Sequence, residues 1–425
     1  MSTTNTTELA ASSPSSSLLT AAPARTQRRW AVAFGLYAIA TNATFTQAVW
    51  VVYLATHHYS PFAIGLFETA FHLAKFVAEV PTGIFADLRG RRASLIVSCV
   101  LGAGAEMLFL HPTAPLIALS FSVQGIAFAF RGGADSALLW TLAERSGAAD
   151  RSAWYSRLFS RILLVTIFAQ TLGTASGGFL SGVSAALPFL ATGLCYAAGI
   201  VPLLALPEHR AVATTHESHR PQPLAHLGAG MRAIWGDPLL LALLLLSGLT
   251  ASILTTVGYY TQLYFASLGF SLAAIGVIIA LCVVPDSLGA AITPRLLRVL
   301  PRRWLLIIFT LAECAGVLLL SMGQPLLAII GYVVLLHSGD SVLYPALSTY
   351  VNERSPEAQR ATVLSLETGL FSAAMIVLFP LFGLGLTHIP FATAYRWTFV
   401  ALAGGALAIA ALVALRGRRR TRENA

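Results

Sequence analysis

The stretch EVPTGIFADLRGRR, residues 79–92, decides how this chain is read. It gathers Asp87 and the arginines Arg89, Arg91 and Arg92 around Gly83 and Gly90, with a long apolar run on either side. A chain of 425 residues that is 56% hydrophobic and only 11% charged spends its charge sparingly. Soluble domains carry about 25% charged residues. So much charge in so short a connection therefore needs a reason.

Working outward, twelve apolar runs appear, at 30–55, 61–85, 93–110, 116–140, 157–181, 185–206, 238–266, 272–293, 304–321, 325–349, 361–386 and 394–415. Each is near the ~20 residues that a helix needs to cross a bilayer. The expected fold class is an all-α integral membrane protein of twelve transmembrane helices, with no sizeable soluble domain left over. The alternating segments of a transmembrane β-barrel are absent.

The formal charge of +9 belongs to topology rather than to nucleic acid. Of 27 Lys and Arg, 24 fall in alternate connections or tails, only Arg396 lies in an opposite connection, and Lys75 and Arg131 sit inside helices. By the positive-inside rule both termini are expected in the cytoplasm, with the chain in the inner (plasma) membrane. Cys99, Cys195, Cys282 and Cys314 all fall within helices, without metal-like spacing. They read as small packing residues. Residues 1–29 read as a disordered tail and 416–425 as a basic one. The first run is too long for a signal-peptide core, so no cleavage is expected.

Residues 207–237 form the longest polar break. His209, His216, His219 and His226 cluster there, but their spacing matches no zinc pattern, and a solvated linker is the expectation. The break separates bundles at 30–206 and 238–415. VVYLATHHYSPFAIG (51–65) aligns without a gap on QLYFASLGFSLAAIG (262–276), and the same offset carries Arg91 and Arg92 onto Arg302 and Arg303. ADSALL (134–139) likewise matches GDSVLY (339–344). Two like-oriented six-helix repeats point to a 6+6 transporter that rocks around a midplane site.

In this frame the opening stretch is a tight cytoplasmic hairpin. Gly83 and Gly90 would allow close approach and a sharp turn. Arg91 and Arg92 would anchor to headgroups, and Asp87 would pair with an arginine or cap a helix of the other half. Gly83-x-x-Ala86-Asp87-x-x-Gly90-Arg91-Arg92-x-x-Leu95 resembles the helix 2–3 signature of the major facilitator superfamily. The resemblance extends over the whole chain, through the twelve helices, the central loop, the repeat and NERSPEAQRATVLS (352–365). It implies a conformational latch here, which Glu79 and Glu367 could join. Leu88 stands where the family usually has a basic residue, with Arg89 beside it. AQTLGTASGG (169–178) is similar to the family's antiporter signature at Gly173, Gly177 and Gly178, with Thr174 in place of the proline. Small residues four apart also simply let helices pack closely.

An ionisable side chain at membrane depth is a functional candidate by default. Glu68, His72, Lys75 and Glu79 share one stripe of helix 2, either as a proton-carrying cavity wall or as a self-neutralising ladder. Lys75 is the only lysine. Helix 4 carries Gln124, Arg131 and Asp135 on one face, and helix 10 carries His337, Asp340 and Tyr344. The resemblance implies that helices 1, 4, 7 and 10 line the cavity, so Asp135 and Asp340 become the matched pair for coupling. An early helix 4 arginine common in the family falls here on Phe121. Asp286 in helix 8 is a further candidate. Glu106 and Glu313 lie on helices peripheral in the family and read as structural. Asn42, Thr46, Gln47, Thr255, Tyr259 and Gln262 are the uncharged candidates on helices 1 and 7.

The function expected from these residues is secondary active transport by alternating access. A small amphipathic solute would leave in exchange for protons, with uptake of a nutrient or organic ion as the alternative. The expected partners are a small-molecule substrate, protons and the lipid bilayer. Neither cofactor, metal nor nucleic acid is implied, and the protein is expected to work as a monomer. No transferase motif occupies a loop, and no nucleotide-binding glycine loop precedes a lysine.

Overall fold

Side-chain caps set where several helices begin. Ser60 accepts the amide of Ala63 at 3.2 Å, with Pro61 opening the helix, and Ser271 repeats the bond to Ala274 at 3.2 Å. Asp150 takes the amide of Ala153 at 2.8 Å. Each cap satisfies an amide that the first helical turn leaves free.

The computed structural model describes residues 23–148, 150–208, 231–232, 234–356 and 359–423. In the first half the helices are α1 (Ala24–Asn42), α2 (Trp50–Thr56), α3 (Pro61–Arg89), α4 (Arg91–Leu108), α5 (Ala114–Arg131), α6 (Ala134–Arg145), α7 (Arg151–Val183) and α8 (Leu187–Leu204). The second half holds α9 (Pro238–Ser267), α10 (Leu272–Leu281), α11 (Val283–Val299), α12 (Arg302–Leu320) and α13 (Pro325–Ile329). A π-helical stretch, Ile330–Leu336, leads into α14 (His337–Arg354), α15 (Arg360–His388) and α16 (Phe391–Glu423). No strand occurs among the described residues. The linker histidines His209, His216, His219 and His226 lie outside them.

Grouped across their breaks, these helices cover the apolar runs, and among the described residues nine of the rods are long and apolar enough to cross a membrane. The first three rods fall short, because polar residues concentrate there. Four rods expected to be continuous are interrupted: the first at 43–49, the fourth at Gly132 and Gly133, the eighth at Cys282, and the tenth by its π turn. Gly133 has φ 73, a left-handed conformation that glycine adopts without penalty. Hydropathy does not register such breaks, since each is short and carries no charged residue.

The repeat is visible in bonding as well as in sequence. Tyr53 donates to the carbonyl of Phe109 at 2.7 Å, and Tyr264 to that of Leu320 at 2.5 Å. The two donors and the two acceptors are separated along the chain by the same interval. Gly65 backs onto Pro380 of α15, and its counterpart Gly276 onto Ala175 and Thr174 of α7. Each repeat thus offers a glycine to the other half. Without a hydrophobic driving force inside a bilayer, close approach of this kind is what holds helices together.

One end of the molecule carries the arginine-rich connections. At the opposite end the halves are joined: Tyr260 donates to Pro61 O at 2.7 Å and Thr69 to Ile376 O at 3.1 Å. A cluster of buried residues from both halves, including Trp50, Phe67, Phe121, Tyr260 and Phe379, fills the space between them. The two halves part toward the arginine-rich end. At the closed end α7 packs along α10, and this packing hardly continues along α11 toward the arginines.

Side chains at the arginine-rich end bond within their own half. Arg354 meets Asp237 at 2.5 and 3.2 Å, while Asp237 also caps α9 through the amides of Leu239 and Leu240. Burial pushes the Asp237 carboxyl up, but the Arg354 hydrogen bond, the two amides and the Arg354 charge outweigh it and hold the group below its ordinary value. A lowered folded-state value means that the contribution is complete above the unfolded value and fades as pH falls through the folded one. Asp237→Ala is expected to cost about 1 kcal/mol near neutral pH. Thermal unfolding of the two purified proteins should converge well below pH ~4.

Candidate functional site

The broken rods deliver their polar residues to the middle of the molecule. The 43–49 break exposes Thr44, Thr46 and Gln47, and Asn42 closes α1 by donating to Ala38 O at 2.7 Å. A π turn holds one residue more than an α turn, so it rotates the helix that follows. Here it sets His337, Asp340 and Tyr344 into one wall.

Two cavities result. One, of about 370 Å³, is lined by Gln47, Thr255, Tyr259, Gln262, Tyr332, His337, Asp340 and Tyr344, among others. The other, of about 260 Å³, belongs to the first half and is lined by Asn42, Thr46, Gln47, Glu68, Glu106, Gln124, Arg131 and a ring of aromatics. Gln47 and Tyr259 border both. The aromatics of the second cavity include Trp50, Phe71, Phe109, Phe121 and Phe128, and Trp50 meets Tyr259 edge-on at 5.4 Å between centroids.

Above the cavities lies the closed end. Gln262 is 1% exposed, accepts from the amide of Val51 at 3.2 Å and donates to Gln47 O at 2.9 Å. One side chain from the second half thus binds the first half through two backbone groups. Gln262→Leu would leave both groups unpaired in a buried setting, at about 1–3 kcal/mol. It is expected to raise labelling of Gln47→Cys from the opposite end several-fold, measured with an impermeant maleimide.

The matched pair Asp135 and Asp340 is divided. Asp340 lines the larger cavity, whereas Asp135 lines neither. Asp135 is held instead by Arg131 Nε at 2.8 Å and by the Tyr37 hydroxyl at 2.9 Å. The glycine break lets the carboxylate fold back onto Arg131, which does face the smaller cavity. Asp286 pairs with His337 at 3.0 Å.

The helix 2 stripe also separates. Glu68 and His72 are buried, 3.5 Å apart, with the edge of Phe371 against the imidazole. Lys75 turns to the ring of Phe128 at 4.8 Å, a cation–π contact. Glu79 is exposed. The stripe is therefore not a single ladder, because burial ends one turn beyond His72.

The hairpin differs from its expectation in three respects. Arg91 donates to Ala137 O at 3.0 Å and to Thr141 at 3.1 Å, and Arg92 to Glu208 at 2.9 Å and Leu206 O at 2.6 Å. They bind protein rather than stand free for headgroups, Arg92 on a carbonyl just past the end of α8 and Arg91 on α6. A Cβ on Gly83 would meet nothing, so no close approach occurs there. Gly90 alone makes the turn, at φ 100. Asp87 is exposed and bonds no described residue, while Glu367 accepts from Ser247 at 2.7 Å. In this conformation the latch residues are not brought together across the halves.

The three glycines of 169–178 are packing positions. Gly173 faces Ala43 and Thr44, Gly177 faces Phe45, and Gly178 faces Leu272 and Ala273. Thus α7 is pressed against the break in the first rod and against the start of α10.

Of the two carboxylates assigned to peripheral helices, one reaches a cavity and the other is fully buried. Glu106 walls the smaller cavity and receives Gln124 at 3.2 Å. Glu313 is 0% exposed, packs against Gly339 beside Asp340, and neither of its oxygens meets a donor among the described residues. Glu106 Oε2 and His72 Nδ1 also lack one. A polar periodicity search of α4, keyed to Glu106 with Ser94 and Ser98, would have placed that face inward. Among the described residues no group of three His, Cys, Asp or Glu could hold a metal, and the four cysteines are unpaired.

Comparison with known proteins agrees with this architecture. The family model described as Major Facilitator Superfamily matches residues 31–298 and 260–425. The chain is similar to the uncharacterized MFS-type transporter YxaM of Bacillus subtilis (strain 168), at 22% identity over 355 residues, covering 79% of this chain and 84% of YxaM. Its fold resembles the nucleoside transporter NupG, in a mutant form, with TM-score 0.77, 14% identity and 91% and 99% of the two chains covered. It also resembles the D-xylose-proton symporter, with TM-score 0.67, 16% identity and coverage of 91% and 96%. With rods, repeat and family match in agreement, the chain belongs to the major facilitator superfamily, as a multi-pass membrane transporter and not an enzyme.

Proposed function

We propose that this transporter exports a small amphipathic solute in exchange for protons, by alternating access between two six-helix bundles at 30–206 and 238–415. The arrangement of the cavities carries the reading. Aromatic rings wall them, a few carboxylates interrupt the rings, and both meet at Gln47 and Tyr259 beneath a closed end. Aromatic walls suit an apolar body, and Asp340 and Glu68 are the groups from which a proton would exchange with the substrate. Asp135, tied to Arg131 and Tyr37, acts as a positioning residue. The positive-inside bias supports cytoplasmic termini in the inner membrane, so the parting of the halves faces the cytoplasm. Asp87 and Glu367 would meet when that side closes. The protein works as a monomer, since both cavities are built within one chain.

The direction of transport rests on the likeness of 169–178 to an antiporter signature. Uptake in symport with protons is the second reading, and the fold's likeness to the D-xylose-proton symporter favours it. Inverted vesicles with an acid interior separate the two. Adding substrates from a broad panel, with a pH-sensitive dye inside, should release protons only when this protein is present and only for particular solutes. Silence across the panel, with substrate-dependent proton entry in right-side-out vesicles, would replace export by uptake.

A further inference from the structure

A groove of about 560 Å³ lies on the outer surface at the arginine-rich end, between the start of α1 and the end of α8. Its mouth is formed by Arg25, Arg28 and Arg29, and its floor by apolar residues including Val32, Leu36 and Val201. On α1 these positions fall three and four apart, so cations and apolar side chains continue one stripe along a single face. The floor is open to the membrane: Val32 is 54% exposed, Leu36 52% and Val201 70%.

The three arginines are exposed, and none bonds a described residue. Their neighbour Gln27 donates to Ser146 O at 2.7 Å, which fixes the first turn of α1 while leaving the guanidinium groups outward. At the same end Arg92 and Arg302 are neutralised by carboxylates, Glu208 and Glu353. Among the described residues no carboxylate lines the groove. A guanidinium group unpaired by protein is matched in geometry by a phosphodiester, which it can hold through two hydrogen bonds.

We infer that this groove binds one anionic phospholipid, with its phosphate among Arg25, Arg28 and Arg29 and an acyl chain along Val32, Leu36 and Val201. A free phosphate would use the arginines and leave the floor uncovered. A zwitterionic lipid would bring its own cation against three others. The site stands apart from the cavities and does not depend on what they carry.

The full chain, purified in detergent, is titrated with phosphatidylglycerol and the bound lipid is counted by native mass spectrometry. R25Q/R28Q/R29Q is expected to bind on the order of 100-fold more weakly, at roughly fivefold per arginine. R151Q/R157Q/R161Q, which removes equal charge from the same end but outside the groove, should bind as the parent does. Leu36→Trp fills the floor and keeps every charge, so its weaker binding would support the site even if the arginine triple folds poorly. Equal loss in both triples would reduce the effect to general attraction at a basic surface and overturn the assignment. Full competition by glycerophosphate, or equal binding of phosphatidylcholine, would overturn it as well.

Discussion

The Gly178→Leu protein is expected to fold and to lose transport almost completely. A Cβ at this position would stand 2.8 Å from the Leu272 carbonyl carbon and 2.9 Å from Ala273 Cα. Both are backbone atoms, so no side chain can swing aside, and α7 must move away from α10. Overpacking of this kind costs about 1–3 kcal/mol. Applied to one state of a two-state cycle, that shifts the equilibrium by about 5- to 150-fold. In the proposed cycle this contact parts when the opposite end opens, so the penalty falls on the state described here. Impermeant maleimide should then reach Gln47→Cys from the opposite end much faster than in the parent background. Unchanged labelling with lost transport would mean that the contact serves folding rather than the cycle. Gly83→Leu is the matched control, because a Cβ there meets nothing.

Asp340→Asn should uncouple the transporter, reducing substrate-driven proton release to background while exchange of labelled substrate down its gradient persists. Asp340 faces the larger cavity together with His337, whose imidazole already pairs with Asp286 at 3.0 Å. An amide cannot exchange a proton, but it preserves volume and one acceptor. Asp135→Asn should behave otherwise. It leaves the Arg131 guanidinium facing the smaller cavity with a neutral partner. Because both side chains are partly exposed, the cost stays below the ~3–5 kcal/mol of a fully buried pair. The expected readout is a lower unfolding temperature with coupling retained. If Asp135→Asn uncouples and Asp340→Asn does not, the proposed roles of the two carboxylates are reversed.

Much of the fold was legible because a bilayer imposes length, polarity and charge placement on every rod. The hairpin glycine and the repeat are local or periodic signals, and Gly90 makes the turn that its chemistry predicts. The site was legible only in part. Spacing on one helix put Asp135 beside Arg131, yet it could not tell that a left-handed Gly133 would turn the carboxylate out of the cavity. Nor could it tell that a π turn would precede the face that carries His337, Asp340 and Tyr344. The same limit explains Glu106, where family layout assigned a helix to the periphery and the residue's own face decided otherwise. Asp87 and Glu367 stay apart in this structure, Asp87 exposed and Glu367 held by Ser247 of its own half.

The grip of Gln262 on the first half has a consequence for how this chain can diverge. Both groups it holds, the amide of Val51 and the carbonyl of Gln47, belong to the main chain. Their presence does not depend on which side chains stand at those positions. Position 47, which borders both cavities, is thus free to change its side chain while the clasp keeps its acceptor. Relatives that handle different solutes could rewrite the first half's wall there, residue by residue, and inherit the same clasp as long as the glutamine is kept.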